Sequence, residues 1–403
     1  MSPSPPHLLI PREHRPGEAR VAATPETVQR LTGKGLHITV EAGAGEPSGF
    51  FDQAYAAAGA QLRGPDPEVW EQVDGVLCVQ PPQRERLDLL RPGALLVGLL
   101  APYGADVLVG SLNRRQVSSL ALELLPRTSR AQTMDVLSSQ ANIAGYKAVL
   151  LAAAALDRYV PMLMTAAGTI QPARTLILGA GVAGLQALAT ARRLGSVVYV
   201  SDVRPAAREQ VESLGGRFVA PPELAETPAE VGGYAQAATE AFLEAQRSQL
   251  EEQLAQADMV ICTAQVPGRP APRLISEAML DRMRPGSVVV DLAVGQGGNC
   301  ACTVAGQTVL RNGVQLIGAD ALPSSVANHA SALYARNVAA LLEHLITLTA
   351  PPEDAGLPGG GAFPLNREDP IVAGCLLTHA GRCWRPDVVG LPAEEPALVG
   401  ALR

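Results

Sequence analysis

ArgThrLeuIleLeuGlyAlaGlyValAlaGly at 174–184, followed by an alanine-rich helical segment and then SerValValTyrValSerAsp at 196–202, is the stretch whose reading decides the fold. The opening apolar run suits a buried parallel strand. Gly179, Gly181 and Gly184 follow it at once in the spacing G-x-G-x-x-G. In that spacing the first glycine makes the tight turn, the second lets a pyrophosphate approach the backbone, and the third lets the helix pack closely on the strand. The helix N-terminus then faces the phosphates. Leu185, Leu188 and Ala189 share one helical face, and Gly195 stands where a C-terminal cap belongs. A second apolar strand, 197–200, delivers Asp202, 21 residues beyond Gly181, where a carboxylate can accept the hydroxyls of an adenosine ribose. A glycine turn that binds nothing is the plain alternative, but strand, glycines, helix, strand and acid in register argue against it. Arg204, two residues on, could instead greet a 2′-phosphate, so the pattern favours NAD over NADP.

Working outward, 403 residues leave room for two or three domains. A hydrophobic content of 47% with 18% charged residues fits a soluble globular chain. The formal net charge of −7 argues against a nucleic-acid surface, which needs clustered Lys and Arg. Lys34 and Lys147 are the two lysines, so Schiff-base chemistry has few candidates. Cys78, Cys262, Cys300, Cys302, Cys375 and Cys383 contain no C-x-x-C pair and read as reduced cytosolic thiols. No metal is expected, because Cys300 and Cys302 lack a second Cys or His pair at ligand spacing. The segment MetSerProSerProProHis has no basic stretch followed by an apolar one and does not read as a signal peptide. The apolar runs at 94–103 and 148–156 stop short of the roughly 20 residues of a bilayer span.

From His7 to Pro126 strands are expected at 7–11, 37–44, 74–80, 94–101 and 116–126, a second α/β unit. Thr24, Pro25 and Glu26 supply an N-cap, a first-position proline and a first-turn acid for a helix that Gly33 and Gly35 close. Gly43 and Gly45 read as a bare βα turn. The polar segment 127–138 leads into a long helix expected to reach Leu156, with Ile143, Val149, Ala153 and Leu156 on one stripe. Arg127, Gln132, Asp135 and Ser138 are candidate ligand residues there; the competing reading is a solvated turn in which Asp135 and Ser138 cap the helix. After Asp202, strands are expected at 217–220, 258–264, 287–293 and 315–319, about six in all, as a doubly wound domain requires. The acidic insertion 221–235 is either a surface connection or a lid. Tyr334, Val338, Leu341, Leu342 and Leu345 mark a second long amphipathic helix that returns to the first unit. The expected architecture is therefore α/β: two Rossmann-like domains with parallel sheets joined by two long helices. Residues 1–135 with 335–390 form the first domain and 136–334 the nucleotide-binding one. Residues 351–369 read as a linker, 371–378 as a short strand-like run, and 379–403 as a tail.

Several segments together resemble a known family: ValAlaAlaThrProGluThrVal (21–28), ValGluAlaGlyAlaGly (40–45), the whole of 127–146, AlaAlaGlyThrIleGlnProAlaArg (166–174) with the glycine motif, GlyGlyTyrAla (232–235), ProGlyArgProAlaPro (267–272) and GlyGlyAsnCys (297–300). They are similar to the NAD(H)-binding domain I of proton-translocating transhydrogenase, a relative of alanine dehydrogenase. The resemblance implies that the chain holds NADH and passes hydride to NADP⁺ on a partner β subunit, coupled to proton movement through membrane-spanning subunits. It also implies a homodimer, cytoplasmic and attached peripherally to the inner face of the membrane. Arg127, Gln132, Asp135 and Ser138 would then surround the nicotinamide. Ser129, Arg130, Gly179, Ala180, Gly181, Val182, Gly184, Asp202, Val203, Arg204, Gly233, Tyr234, Ala264, Gln265 and Val266 would contact the cofactor, with Gly233 and Tyr234 on a mobile lid.

An amino-acid dehydrogenase is the competing reading, and a non-catalytic NAD-binding module a third. Oxidising an amino acid requires a base to take the proton as hydride leaves. In alanine dehydrogenases, by resemblance, a lysine and a histidine on the first domain supply that chemistry. Here the strand ends ValLeuCysValGlnProPro (76–82) and ValGlyLeuLeuAlaPro (97–102) offer Gln80 in place of the lysine and no histidine nearby. Hydride passing between two nicotinamides needs no proton acceptor, so transhydrogenation is favoured.

Overall fold

The computed structural model describes residues 5–221, 230–231, 234–235, 240–349 and 363–391. The chain divides into two compact units, one built from residues up to Ser139 and from Ala327 on, the other from Gln140–Val326. The chain leaves the first unit along the helix Val136–Ala155 and re-enters it at the start of the helix Ala327–Leu345.

In the first unit six parallel strands, β1 (His7–Ile10), β2 (His37–Glu41), β3 (Gln61–Arg63), β4 (Gly75–Leu77), β5 (Leu95–Gly98) and β6 (Ser118–Ala121), lie in the order β3-β2-β1-β4-β5-β6. The order turns back on itself between β1 and β4, the signature of a doubly wound sheet. Both faces are covered, so the strands are apolar at every position rather than at alternate ones. Leu8, Ile10, Leu77 and Leu95 point into one core with Tyr334, Val338 and Leu342. Leu9, Val76, Cys78 and Leu96 point into the other with Trp70. The helix Pro25–Thr32 starts as its sequence predicts, with Thr24 in a capping box and Pro25 in the first turn.

The second unit repeats the topology. Strands β7 (Arg174–Leu178), β8 (Val197–Ser201), β9 (Arg217–Val219), β10 (Met259–Cys262), β11 (Val288–Asp291) and β12 (Val314–Gly318) run parallel in the order β9-β8-β7-β10-β11-β12. Ile177, Val198, Ile261 and Val290 face one core, with Val149 and Leu156 of the long helix; Leu176, Val260 and Val289 face the other. Among the described residues no helix is long and apolar enough to cross a membrane.

The structure corrects the sequence reading at the edges. Each sheet ends in antiparallel strands, Leu376–His379 and Arg382–Cys383 beyond β6 and Thr308–Arg311 beyond β12, so neither is purely parallel. The run 371–378 is a helix, Pro370–Cys375, followed by a strand: the Asp369 carboxylate accepts from the Ile371 and Val372 amides and Pro370 opens the first turn, a start signal that outweighs the apolar run. Of the expected linker, 350–362 lies outside the described residues, while Phe363 and Leu365 are buried in the first unit's core. Of the expected tail, 392–403 lies outside them, while Val389 packs against the other core face.

Candidate functional site

In the second unit, the amides that follow β7 and β10 stand at the carboxyl ends of the strands where the order reverses, the place such sheets bind ligands. Gly179 has φ +104°, a conformation that disfavours a side chain, and its amide donates to the Ser201 carbonyl at 2.8 Å. A Cβ on Gly184 would stand 1.8 Å from the Gly179 carbonyl oxygen, so strand turn and helix meet backbone to backbone. A Cβ on Gly181 would meet nothing within 4 Å. Gly181 is the N-cap of the helix Val182–Arg193 and gives it no side-chain cap. Unsatisfied first-turn amides beside open space fit a pyrophosphate. Gly145 was not foreseen here: its Cβ would lie 2.0 Å from the Ala183 carbonyl oxygen, so the long helix also crosses the glycine helix at backbone distance.

Asp202 is buried at the end of β8. Its Oδ2 accepts from the Ala180 amide at 2.6 Å, and its Oδ1 from the Arg204 amide at 2.9 Å. The Arg204 side chain adds two bonds, Nε to Oδ1 at 2.9 Å and Nη2 to Oδ2 at 3.0 Å. Val203 is half-buried between them. Ala264, Gln265 and Val266 follow β10. Asn299, which sequence reading passed over, organises this rim: its Oδ1 accepts from the Ala264 amide at 3.0 Å and its Nδ2 donates to the Ala264 carbonyl at 2.8 Å. Two left-handed glycines, Gly297 and Gly298, precede it, a cue present in the sequence. Gln265 is exposed and donates to the Leu292 carbonyl. Gly233 lies outside the described residues, as does most of the 221–235 insertion; the backbone of Tyr234–Ala235 pairs with Glu230–Val231.

The first unit carries the other candidates on one loop. Ser129–Met134 forms a 3₁₀ turn anchored by Ala131 and Met134 in the core, which leaves Arg127, Ser129, Arg130 and Gln132 exposed. Asp135 caps the long helix: its Oδ1 accepts from the Ser138 amide at 2.9 Å and its Oδ2 from the Ser138 hydroxyl at 2.6 Å. The capping arrangement weighed against a ligand role is thus present. Asn337 fastens the loop, donating to the Thr133 carbonyl at 2.7 Å and accepting from the Ser139 hydroxyl at 2.8 Å. It sits on the non-core side of its helix, where no periodicity singles it out. Arg130 pairs with Asp369 at 3.4 Å.

Gln80 is held at both ends of its amide, accepting from Arg15 Nη1 and donating to Glu18 Oε2, each at 3.1 Å. Glu13 is buried beneath it and accepts from the Val79 and Gln80 amides at 2.6 and 3.1 Å. Desolvation, reinforced by the Glu18 charge, pushes the Glu13 carboxyl up to about 7 against those two hydrogen bonds. A cavity of about 260 Å³ opens here, and His14 lines it together with Arg15 and Gln80. A histidine therefore does lie near Gln80, carried by the loop after β1 and not by the strand ends; spacing along the chain hid it.

Family models described as alanine dehydrogenase/PNT, N-terminal domain and C-terminal domain, match residues 9–144 and 148–385. The chain is 43% identical over 389 residues to the first of the separately encoded pieces of NAD(P) transhydrogenase subunit alpha of Rhodospirillum rubrum, covering 95% of this chain and 99% of that one. It is 30% identical over 396 residues to alanine dehydrogenase of Mycobacterium tuberculosis, covering 97% and 98%. Its fold matches a solved transhydrogenase from Sinorhizobium meliloti with a TM-score of 0.81 at 42% identity, over 94% of this chain and 99% of that one.

Proposed function

The chain belongs to the alanine dehydrogenase/PNT family, and from that premise we propose that it is the NAD(H)-binding subunit of a proton-translocating transhydrogenase. NADH held here would supply the hydride that passes directly to NADP⁺ on a partner β subunit, while membrane-spanning subunits couple the transfer to proton movement. The observation that carries the reading is the state of Gln80. An amide locked between Arg15 and Glu18 cannot take a proton, so the first unit offers no base at the position where a dehydrogenase of this family would need one.

The chain's own residues then divide the work. The amides of Ala180, Gly181 and Val182 cradle the pyrophosphate beside Gly179 and Gly184, and Asp202 receives the adenosine ribose with Val203 and Arg204 beside it. Ala264, Gln265 and Val266 border the same crest, and Gly233 and Tyr234 belong to its lid. Arg127 orients the nicotinamide carboxamide with Ser129 and Arg130 flanking it. Asp135 and Ser138, already bonded to each other, fix the ring's orientation, and Gln132 reaches towards the partner's nucleotide. Holding two rings in reactive alignment supplies on the order of 7–11 kcal/mol of the barrier, and this is a subunit's contribution to a reaction that needs no acid or base. The hairpin Leu163–Thr165/Gly168–Ile170 carries Met164 at 72% exposure beside the exposed Met162 and Ile170, an apolar surface that supports a homodimer.

The test mixes the purified chain with an NADP(H)-binding transhydrogenase subunit and follows single-turnover hydride transfer between nucleotides. Transfer in the mixture, with no alanine oxidation by the chain alone, is the expected result. Robust NAD⁺-dependent alanine oxidation without a partner would establish the dehydrogenase reading, with His14 as the first base to examine.

A further inference from the structure

The adenosine-ribose end of the second unit is already satisfied without a nucleotide. A carboxylate offers about four acceptor positions, and the four donors at Asp202 fill them: two backbone amides, of Ala180 and Arg204, and the Nε and Nη2 of the Arg204 side chain. The pair is largely shielded from water, with side-chain exposures of 7% for Asp202 and 16% for Arg204. The amides belong to turns that the glycine motif and β8 fix. The guanidinium hangs on rotatable bonds and is the part that can leave. A ribose diol needs two acceptor positions, the same number the guanidinium occupies.

On the reading that the chain binds NADH, we propose that Arg204 is a specificity gate that stands in for the ribose diol, closing Asp202 until NADH displaces its guanidinium and then remaining within reach of the 2′ position. Binding NADH is therefore an exchange of donors at one carboxylate, and breaking the buried ion pair reduces affinity, since an Asp202 without its partner would be an uncompensated buried charge that gains more from the diol. A 2′-phosphate cannot use the carboxylate, but the displaced guanidinium is a good phosphate donor. The unmutated site thus discriminates less sharply against NADPH than a bare carboxylate would. Arg204 sets that balance by favouring the empty site over NADH and by tolerating the extra phosphate.

Fluorescence titrations of NADH and NADPH against the full chain and Arg204→Ala test this. The variant should bind NADH roughly 3- to 10-fold more tightly and NADPH more weakly, by replacing the ion pair with the diol alone. Arg204→Gln keeps one donor and should show a smaller gain in the same direction, which decides the matter if the alanine variant fails to fold. In an Asp202→Asn background, Arg204→Ala should bring no gain, because the carboxylate it guards is gone. Unchanged or weaker NADH binding in both Arg204 variants overturns the gate while leaving the NADH reading intact. No NADH binding by the unmutated chain overturns the functional reading and the gate with it.

Discussion

Glu13→Gln should remove a pH dependence from the stability of the first unit. In the folded chain the Glu13 carboxyl titrates at about 7, against about 4.5 ordinarily, because burial disfavours its charge more than the Val79 and Gln80 amides favour it, and the neighbouring Glu18 adds repulsion that Arg20 only partly offsets. The sign follows from proton counting. Below about pH 4.5 the group is protonated in both states, and above about pH 7 it is ionised in both. Between those values the folded chain keeps a proton that the unfolded chain has lost, so stability falls as pH rises through the window. At about 1.4 kcal/mol per pH unit, the window amounts to roughly 3 kcal/mol. Both tryptophans, Trp70 and Trp384, lie in the first unit, and Trp70 lines the same cavity as Glu13, so intrinsic fluorescence reports this unit. Urea unfolding followed by that signal between pH 5 and 8 should show the unmutated chain losing stability with rising pH more steeply than Glu13→Gln, by a difference approaching that magnitude. The variant loses one acceptor for the two amides, which lowers its stability at every pH and leaves the slope comparison clean. Parallel slopes would refute the reasoning and mean that Glu13 is ionised throughout.

Gly184→Ala places a Cβ 1.8 Å from the Gly179 carbonyl oxygen, so the glycine turn must shift; NADH binding should fall by at least 10-fold in a fluorescence titration while the tryptophan-monitored transition stays put. Asp202→Ala removes the acceptor for the ribose and should weaken NADH binding and relax its preference over NADPH, measured in the same titration. Asp135→Asn retains one oxygen for the Ser138 amide, so helicity by circular dichroism should hold, while the single-turnover transfer rate in the reconstituted complex falls far more than NADH affinity; Asp135→Ala should in addition cost about 1 kcal/mol through the lost cap. Sedimentation should show a dimer that Met164→Asp, on the exposed hairpin, converts towards monomer.

The parts of the fold that depend on nearby residues were legible. Gly179, Gly181, Gly184 and Asp202 announce a strand, turn, helix and strand because each answers a local need of backbone geometry, and the stripe of Tyr334, Val338 and Leu342 announces a core-facing helix because its period is that of the helix itself. Edge strands were not legible. Gln61–Arg63 and Thr308–Arg311 are short, half-exposed and polar, and only the neighbouring strand makes them strands. Residues 371–378 misled because an apolar run suits a buried helix as well as a strand, and Asp369 with Pro370 decided between them. Within the site, Asn299 and Asn337 act on backbone groups 35 and 204 residues away, at Ala264 and Thr133. No pattern along the chain encodes such a pairing. His14 escaped for the same reason, since it meets Gln80 only once β1 and β4 lie side by side.

The two units share a strand order, yet their crests are prepared for opposite uses, and the difference lies in a few amides. In the second unit the switch point between β7 and β10 presents an uncapped helix start at Gly181 with open space before it, so an outside anion is needed to satisfy those donors. In the first unit the corresponding switch point lies between β1 and β4, and there Glu13, three residues past the end of β1, turns back and fills the Val79 and Gln80 amides with its own carboxylate. Glu123 does the same beside it, accepting from the Leu100 and Ala101 amides at 3.1 and 2.6 Å. The first unit thus supplies internally the negative charge that the second must borrow. Gly43 and Gly45 follow β2 without the phosphate-binding spacing, and Gly43 leaves its amide to Asp52 at 2.9 Å. A doubly wound sheet therefore fixes where a ligand could sit, and whether it takes one is decided by which strand-end amides the chain has left for it. Replacing Glu13 with alanine frees the first unit's amides without building the cradle of Gly179 to Gly184, so the NADH stoichiometry of that variant should remain one per chain; a second equivalent, measured by equilibrium dialysis, would show that topology alone is enough.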